Sequence, residues 1–592
     1  MCGIFGYIGS NHRAGDIVLE GIKTLEYRGY DSWGIAQVIE KQSNTKIIAM
    51  KKAVGKIAAT TDTTLPDATL AIGHTRWATH GGVTEANAHP HCDCSGTIAL
   101  IHNGIIENYE EIKQTLTGHT FVSETDSEVA IHAIEEKMHT ISLEEAVRSV
   151  FLESRGCNAF IVISTIERKI VAVKRGSPLV VGFGTGEQFI ASDAPALLPH
   201  TQTVYYLEDN EMAILTDLKI RFLDATTGKE KPITPITLTW SPSDAQKNGF
   251  STFMEKEIEQ QPMVIRTIAD RPTHELQPLI SSIKNASSVV FTGCGSAYYA
   301  CQEAPYIFSQ VAGMHVDTVL ASEAAYRMPL FTDKTLTIAF SQSGETMDLI
   351  EAIKEIKTHK STIGALVNVM GSTLYRLSDL SLVTLAGPEI AVATTKDMAA
   401  KLSHIIRFAY YLSENDTQGT KILRDSAEAI DELLHNTKTR EIIRRVARTL
   451  AKTTTVFVLG RGPMYPIALE TALKIKEVSY VHAEAIPTGE LKHGPIALIE
   501  KNTPCILLMP NDGLYGANLA GAMEMKARGA TIIAVTDTPH PVMDIVIPIL
   551  TAGIGSIFPV LTVGQILALE AASYKKLDPD KPKNLAKSVT VK

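Results

Sequence analysis

Short apolar segments separated by turn residues dominate the first part of the chain. Hydrophobic runs and alternation predict strands at residues 69–73, 97–102, 160–164 and 170–173. Apolar positions at helical spacing predict helices at residues 16–25 and 127–137. This mixture predicts an α+β fold built from layers. Gly, Lys, Pro, Thr and Ser then cluster, and we interpret residues 226–250 as a linker between domains.

Beyond the linker the pattern changes to strand, glycine turn and helix, repeated along the chain. That order predicts parallel sheets with helices on both faces. Residues 287–295 resemble residues 454–462, and residues 362–368 resemble residues 531–537. The shared offset of about 168 residues predicts two duplicated α/β domains, although generic strand-to-glycine patterns are an alternative explanation.

One uncharged stretch, residues 545–569, is long enough to suggest a membrane span. Prolines, glycines and a glutamine interrupt it, so we predict a buried strand, a loop and a buried helix, and no membrane association. The net charge of -9 is mild for 592 residues and no long basic run occurs, which argues against a nucleic-acid partner. Seven scattered cysteines and an N-terminus without a secretory pattern predict a reducing, cytoplasmic location.

The second position of the chain is a cysteine. If Met1 is removed, Cys2 carries both a thiol and a free α-amino group, and the amine can accept the thiol proton. The alternative is a small buried apolar residue near a chain end. Another close pair, Cys92 and Cys94, is too tightly spaced for an ordinary metal knuckle, and no metal is expected.

Three polar segments in the strand-rich half offer groups for such a nucleophile. Segment 73–81 (GHTRWATHG) contains Arg76, which can pair with a carboxylate through two hydrogen bonds. Segment 102–108 (HNGIIEN) offers the Asn103 amide and the Gly104 backbone N–H as oxyanion donors. Segment 123–127 (SETDS) places Asp126 where it can hold an ammonium group. A surface ion pair, a turn and a helix cap are the respective alternatives.

Together with the opening Met-Cys-Gly-Ile, these segments resemble the class II glutamine amidotransferases, whose layered N-terminal nucleophile fold is expected at residues 2–225. Residues 27–32 (YRGYDS) resemble the members that act on fructose 6-phosphate. The resemblance implies Cys2 as the nucleophile and Asn103 and Gly104 as oxyanion donors. The implied glutamine-binding residues are Arg76, Trp77, Thr79, His80 and Asp126, and Trp77 is also implied to gate ammonia passage.

The second half contains a candidate phosphate site. Segment 341–346 (SQSGET) follows a predicted strand and precedes a helix that begins near Met347. Hydroxyls and free N–H groups at a helix N-terminus suit a phosphate monoester, while a capped turn is the alternative. Segment 293–296 (GCGS) offers a second side of the same site. Further on, Glu470, Lys474 and Glu477 share one helix face, a spacing that is also typical of solvated ion pairs.

These features resemble the sugar isomerase (SIS) domain, and the resemblance to the glucosamine-6-phosphate synthase family covers nearly the whole chain. It implies SIS domains at residues 275–420 and 445–580 and a catalytic tail at residues 581–592. Glu477 is implied to move a proton between sugar C1 and C2, His493 of a neighbouring subunit to open the ring, and Lys587 to form a Schiff base. The implied sugar-phosphate contacts are Cys294, Gly295, Ser296, Ser341, Gln342, Ser343, Thr346, Val392, Glu470, Lys474 and Ala586.

The implied reaction transfers the amide nitrogen of L-glutamine to D-fructose 6-phosphate in a homodimer without a metal or organic cofactor. Ala297 and Asp397 depart from the usual family pattern, which bears on sugar affinity. Two other glutamine-dependent classes are alternatives. Amidophosphoribosyltransferases need an acidic pyrophosphate-binding motif and asparagine synthetases need a Ser-Gly-Gly nucleotide loop, and we find neither. A non-catalytic sugar-phosphate sensor has no need for both a base and a Schiff-base lysine.

Overall fold

The computed structural model describes residues 2–41, 45–57, 64–238 and 240–589. Met1, whose removal is expected, lies outside the described residues, as do Thr239 of the predicted linker and residues 590–592 of the predicted tail. The chain forms two compact units. One comprises Met1–Gln246 with Ala586–Lys592, and the other comprises Lys247–Leu585.

The described residues of the first unit form two antiparallel sheets. Its strands are β1 (Gly3–Gly9), β2 (Ser32–Glu40), β3 (Lys46–Val54), β4 (Leu70–Arg76), β5 (His91–Cys92), β6 (Ile98–Gly104), β7 (Asn158–Ser164), β8 (Ile170–Arg175), β9 (Val180–Phe183), β10 (Glu187–Ala191), β11 (Thr203–Tyr206), β12 (Glu211–Leu215), β13 (Ile220–Asp224) and β14 (Ile236–Thr237). Their orders are β14-β11-β9-β10-β1-β4-β2-β3 and β13-β12-β8-β7-β6-β5. The α+β prediction is therefore confirmed.

Helices lie on the outer sides of these sheets. They are α1 (Ala14–Thr24), α2 (Tyr109–Thr115), α3 (Asp126–Met138) and α4 (Leu143–Glu153). Apolar side chains such as Ile4 and Ile72 from the first sheet pack against Ile101 and Ile161 from the second, which makes the central core. The other face of the second sheet packs against α3 and α4. The polar residues of the predicted glutaminase site lie next to this core, at the start of β1 and at the ends of β4 and β6.

The second unit contains two parallel sheets of the same topology. Its strands are β15 (Ser288–Gly293), β16 (Asp317–Leu320), β17 (Thr335–Ser341), β18 (Thr362–Val367), β19 (Leu380–Val383), β20 (Thr455–Gly460), β21 (His482–Pro487), β22 (Pro504–Leu508), β23 (Thr531–Thr536) and β24 (Ile545–Pro548). The orders β16-β15-β17-β18-β19 and β21-β20-β22-β23-β24 match position by position. The segments that suggested a repeat contain β15 with β20 and β18 with β23, so the duplication is confirmed.

Helices cover both sheets of this unit. They are α5 (Phe253–Glu259), α6 (Gln261–Ala269), α7 (Thr273–Asn285), α8 (Ser296–Cys301), α9 (Ala304–Ala312), α10 (Met347–Thr358), α11 (Thr373–Leu377), α12 (Lys396–Leu412), α13 (Asp416–His435), α14 (Thr437–Leu450), α15 (Met464–Ser479), α16 (Tyr515–Lys526) and α17 (Ile557–Tyr574). One continuous core includes Phe291 and Phe340 from the first sheet and Val458 and Ile506 from the second. The duplicated sheets therefore share their largest apolar core.

The suspected membrane span is part of this core. Residues 545–569 form β24, a loop and most of α17, as predicted. The segment Gly553–Tyr574 is long and apolar enough to cross a membrane, but 89% of its most apolar window is buried inside the protein. The apolar character of α17 is thus explained by the helices that surround it, including α14 and α15.

Candidate functional site

The Cys2 thiol lies at the start of β1, beside the residue that follows β4. The backbone N–H of Trp77 donates to Cys2 Sγ at 3.2 Å, and Asn103 Nδ2 donates to the Cys2 carbonyl at 2.9 Å. Burial raises the pKa of the Cys2 thiol, while the Trp77 backbone and the Arg76 guanidinium act in the opposite direction. The structure thus brings three of the expected glutaminase residues together around a thiol that needs a base to ionise.

The orientation of the Asn103 amide is fixed by His74. Nε2 of His74 lies 3.0 Å from the His102 carbonyl and 3.1 Å from Asn103 Oδ1. Both partners are acceptors, so Nε2 carries the proton and the amide nitrogen of Asn103 must face Cys2. Burial lowers the pKa of His74 to about 3, which keeps its ring neutral. This neutral histidine therefore positions an amide donor at the Cys2 carbonyl.

Gly104 could not be replaced by another residue without moving the backbone. Its φ is +131°, and a Cβ at this position would lie 1.8 Å from the carbonyl oxygen of Cys157. L side chains rarely adopt this backbone conformation, and the contact is with backbone that cannot rotate away. Glycine is therefore required at this position because β6 passes close to the Cys157 backbone. The alternative that Asn103-Gly104 is a simple turn does not explain this requirement.

Arg76 binds loop carbonyls and is not part of a surface ion pair. Its side chain is buried, and it donates to the carbonyls of Gly82 at 3.0 Å, of Gly81 at 3.4 Å and of His80. The guanidinium thereby holds residues 80–82 close to the end of β4. Of the other predicted glutamine contacts on this segment, Trp77 packs edge-on against Tyr30 with ring centroids 5.6 Å apart, and Thr79 is exposed.

Asp126 is the first residue of α3, and the capping role belongs to its neighbour. Thr125 Oγ1 accepts the backbone N–H of Glu128 at 3.3 Å, as an N-cap does. Asp126 Oδ2 instead accepts the backbone N–H of Ile106 at 2.7 Å and is buried. This bond ties the start of α3 to the chain just after Gly104, so Asp126 lies next to the oxyanion segment in the same unit.

Two charged residues near Cys2 were not predicted to take part. Arg28 is buried and donates through Nε to the Cys2 carbonyl at 3.3 Å, and its Nη1 lies 3.0 Å from Asp193 Oδ2. Tyr27 donates to the same Asp193 oxygen at 2.7 Å. The sequence did single out residues 27–32, which include Tyr27 and Arg28, because they support the family resemblance. Asp193 could not be predicted from the sequence, because it lies 165 residues away from Arg28 along the chain.

The predicted phosphate-binding segments meet at one edge of a parallel sheet. β15 and β17 are adjacent and parallel, so the turns that follow their carboxyl ends lie side by side. Ser341 Oγ accepts the N–H of Gly344 at 3.0 Å, and Ser343 Oγ accepts the N–H of Glu345 at 3.1 Å. Helix α10 begins directly afterwards. The predicted residues in these two turns are Cys294, Gly295, Ser296, Ser341, Gln342, Ser343 and Thr346.

The charged face of α15 is buried, unlike a solvated ladder of ion pairs. Lys474 Nζ lies 2.5 Å from Glu477 Oε2 and 3.4 Å from Glu470 Oε1. Glu470 and Lys474 are fully buried, whereas the Glu477 side chain is 20% exposed. Burial raises the pKa of Glu470, and the neighbouring charge of Lys474 acts in the opposite direction. Helix α8, which begins at Ser296, packs against α15 and so places this triad near the turn after β15.

The remaining predicted residues lie apart from this triad in the sequence. The Val392 N–H donates to the Asp580 carbonyl at 3.0 Å. His493 lies in a short turn, Leu491–His493, and is exposed. Ala586 and Lys587 are partly buried and group with the first unit.

Sequence comparisons agree with the two kinds of site. A glutamine amidotransferase domain matches residues 33–230, and a SIS domain matches residues 282–409 and 449–543. The chain therefore joins a glutamine amidotransferase to SIS domains. Over the full length of both chains it is 40% identical to the glutamine–fructose-6-phosphate aminotransferase (isomerizing) of Caldanaerobacter subterraneus subsp. tengcongensis, and 39% identical to that of Thermococcus kodakarensis. The chain belongs to the glutamine–fructose-6-phosphate aminotransferase (isomerizing) family.

A solved structure supports the same assignment for the second unit. The C-terminal domain of glucosamine-fructose-6-phosphate aminotransferase from Francisella tularensis aligns with a TM-score of 0.52 and 30% sequence identity. The alignment covers 57% of this chain and 99% of that one. The parallel-sheet part of the fold prediction is confirmed by this similarity and by the sheet orders.

Proposed function

We propose that this enzyme transfers the amide nitrogen of L-glutamine to D-fructose 6-phosphate and isomerises the product to D-glucosamine 6-phosphate, releasing L-glutamate. This reaction is the first step of the hexosamine pathway that leads to UDP-N-acetylglucosamine. One observation carries the proposal. A chain that matches its relatives over their whole length contains both a Cys2–Asn103 pair and a buried Glu470–Lys474–Glu477 triad.

In the first unit, Cys2 is the nucleophile that attacks the glutamine amide. Once Met1 is removed, the α-amino group of Cys2 accepts the thiol proton. The oxyanion of the tetrahedral intermediate is stabilised by Asn103 Nδ2, which already points at Cys2, and by the Gly104 N–H. Arg76 and Asp126 bind the glutamine carboxylate and ammonium, and Trp77, Thr79 and His80 border the same site. Collapse of the intermediate breaks the C–N bond of the amide, and the α-ammonium returns its proton to the departing nitrogen, so that ammonia is released. Water then hydrolyses the Cys2 thioester, and glutamate leaves.

In the second unit, the turns after β15 and β17 bind the sugar phosphate through hydroxyls and the N-terminus of α10. Glu477 moves the proton between C1 and C2, and its carboxylate is held in position by Lys474 at 2.5 Å. Lys587 of the proposed catalytic tail forms an imine with the sugar carbonyl, and ammonia displaces the lysine amine from it. His493 of a neighbouring subunit opens the sugar ring, a role compatible with its exposure. This role requires a homodimer as the active form. The proposed location of the enzyme is the cytoplasm.

The domain limits that accompany this mechanism are residues 2–225 for the glutaminase, 275–420 and 445–580 for the SIS domains, and 581–592 for the tail. The compact units divide between Gln246 and Lys247, inside the proposed linker at residues 226–250.

Product analysis with amide-¹⁵N glutamine and fructose 6-phosphate tests the function. We expect ¹⁵N-labelled glucosamine 6-phosphate and glutamate in equal amounts. Glutamate without amino sugar would identify an uncoupled glutaminase, and neither product would identify a sugar-phosphate sensor. Cys2→Ala should abolish glutamine use and retain sugar-phosphate isomerisation, whereas Lys587→Ala should do the reverse.

A further inference from the structure

Four side chains outside the proposed catalytic residues converge on one point of the first unit. They are Cys94 in the turn after β5, His119 in the loop between α2 and α3, and His132 with Glu135 one helical turn apart on α3. One nitrogen, sulfur or carboxylate oxygen from each lies within 4.8 Å of the corresponding atoms of the others. Three separate segments therefore present a thiol, two imidazoles and a carboxylate to a common centre.

The distances are within a few tenths of an ångström of those in a tetrahedral metal site. Cys94 Sγ lies 3.7 Å from His119 Nδ1 and 3.6 Å from His132 Nδ1, and each of these nitrogens lies 3.1 Å from Glu135 Oε2. Bonds of about 2.0–2.3 Å in a tetrahedral zinc site separate neighbouring ligand atoms by roughly 3.3–3.8 Å. An ion can therefore enter with only small side-chain rotations.

The surroundings can accommodate the ring tautomer that a metal requires. Nε2 of His119 lies 3.2 Å from Glu136 Oε2, and Nε2 of His132 lies 3.8 Å from Glu128 Oε1. An Nε2–H that faces a carboxylate leaves the Nδ1 lone pair directed at the centre, the usual arrangement around zinc-bound histidines. The backbone N–H of Thr120 points at Cys94 Sγ at 3.5 Å, which suits a thiolate.

A purely hydrogen-bonded cluster explains this arrangement less well. It would require Nδ1–H of both rings to donate to the same Glu135 oxygen, which also accepts the backbone N–H of Cys94 at 3.1 Å. Because Nε2 of each ring also faces a carboxylate, a cluster held by hydrogen bonds alone would need both rings to be imidazolium cations. A metal ion at the centre replaces the two Nδ1 protons, and both Nδ1 atoms then act as electron-pair donors.

We propose that Cys94, His119, His132 and Glu135 bind one Zn²⁺ ion. One thiolate, two imidazoles and one carboxylate are ligands for zinc and not for Mg²⁺ or Ca²⁺, which take oxygen ligands. The thiolate and the carboxylate neutralise the charge of the ion. Four protein ligands fill a tetrahedron, so the role is structural, and the exposed Cys94 provides the entry path. The ion connects the loop that carries His119 to α3, whose first residue, Asp126, is bonded to Ile106.

The spacing of residues in the sequence did not predict this metal site. The close pair Cys92 and Cys94 was judged too tight for a metal knuckle, and in the structure Cys92 Sγ lies 3.4 Å from Met50 Sδ, away from the cluster. The partners of Cys94 come from 25 and 38 residues further along the chain. Only the pair His132 and Glu135, three residues apart on one helix, offered a local signal.

Metal analysis of the untagged full-length enzyme tests the proposal. The protein is dialysed against a chelator, reloaded with Zn²⁺, freed of excess metal and measured by mass spectrometry for zinc per chain. We expect about one zinc per chain in the wild type, and below about one tenth in Cys94→Ala and in His119→Gln. Cys92→Ala and His139→Gln are the matched controls. Both alter neighbouring residues outside the cluster and should retain the zinc.

Cobalt provides a readout that does not depend on the folding of any variant. Co²⁺ added to the metal-free wild type should give thiolate-to-cobalt charge transfer and tetrahedral ligand-field bands, and the apparent Tm should rise. Wild-type protein that holds no zinc after reloading, or a cobalt spectrum without the thiolate band, would overturn the proposal. Zinc retained by Cys94→Ala and His119→Gln at the wild-type level would do the same. None of these readouts uses the transfer of nitrogen, so the proposed function is tested separately.

Discussion

Asp397 and Lys401 form an ion pair at the start of α12. We expect removal of either charge to lower the free energy of unfolding by a large amount. Both side chains are at most 1% exposed, and Lys401 Nζ donates to Asp397 Oδ2. Thr384 Oγ1 lies 2.9 Å from the other carboxylate oxygen. Breaking a buried pair by removing one charge costs about 3–5 kcal/mol, because the remaining charge stays in the interior without a partner.

The size of the change in Tm follows from the size of the unit. With an unfolding entropy of ~2.1 cal/mol/K per residue, about 340 residues in Lys247–Leu585 give roughly 0.7 kcal/mol/K. Asp397→Ala should therefore lower the apparent Tm of this unit by ~4–7 °C. The double variant Asp397→Ala with Lys401→Met should recover most of that loss, because no unpaired charge remains.

Differential scanning calorimetry of the full-length enzyme measures these changes, and the chain offers a matched control. Lys421 and Asp425 form a pair with the same spacing on α13, but their side chains are 65% and 42% exposed. Asp425→Ala should change the Tm by less than ~1 °C, since exposed pairs at this helical spacing contribute about 0.3–0.5 kcal/mol. A shift in Asp397→Ala no larger than in this control, or a double variant as unstable as the single one, would refute the reasoning.

Two further predictions concern a backbone position and a buried ring. Gly104→Ala should abolish glutaminase activity while leaving isomerase activity intact, because the new Cβ would lie 1.8 Å from a carbonyl oxygen and displace the Asn103 segment. Burial, and next the charge of Arg271, lowers the pKa of His404 to about 3. The unfolded chain binds a proton near pH 6.5, so stability falls as the pH drops below 6.5, by ~2 kcal/mol between pH 7 and 5. His404→Gln should flatten the corresponding dependence of Tm on pH.

Much of the fold was predictable because its signals are local. The turn after β17 combines Ser341 and Gly344 with an apolar strand before it and a helical pattern after it, so the strand end and the start of α10 at Met347 were both predicted. The duplication was predictable because equivalent strands repeat at one spacing. The interruptions within residues 545–569 likewise separated β24 from α17 correctly.

The environment of the charged side chains was less predictable. The spacing of Glu470, Lys474 and Glu477 fits a solvent-exposed helix face as well as a buried one. Their burial depends on α8 and α17, which pack against α15 from distant parts of the sequence. The pairing of Arg28 with Asp193 and the cluster around Cys94 arise in the same way. Contacts of this kind form only when segments that are distant in the sequence pack together, so no local pattern predicts them.

The central claim is that Cys2 is the first residue of the mature enzyme and its glutaminase nucleophile. Mass spectrometry of the intact protein, before and after treatment with an electrophilic glutamine analogue, tests it directly. We predict a chain without Met1 that gains one label, located on Cys2, with loss of glutamine-dependent activity in proportion to labelling. A protein that retains Met1 and still transfers nitrogen from glutamine, or one inactivated by a label elsewhere, would contradict the claim.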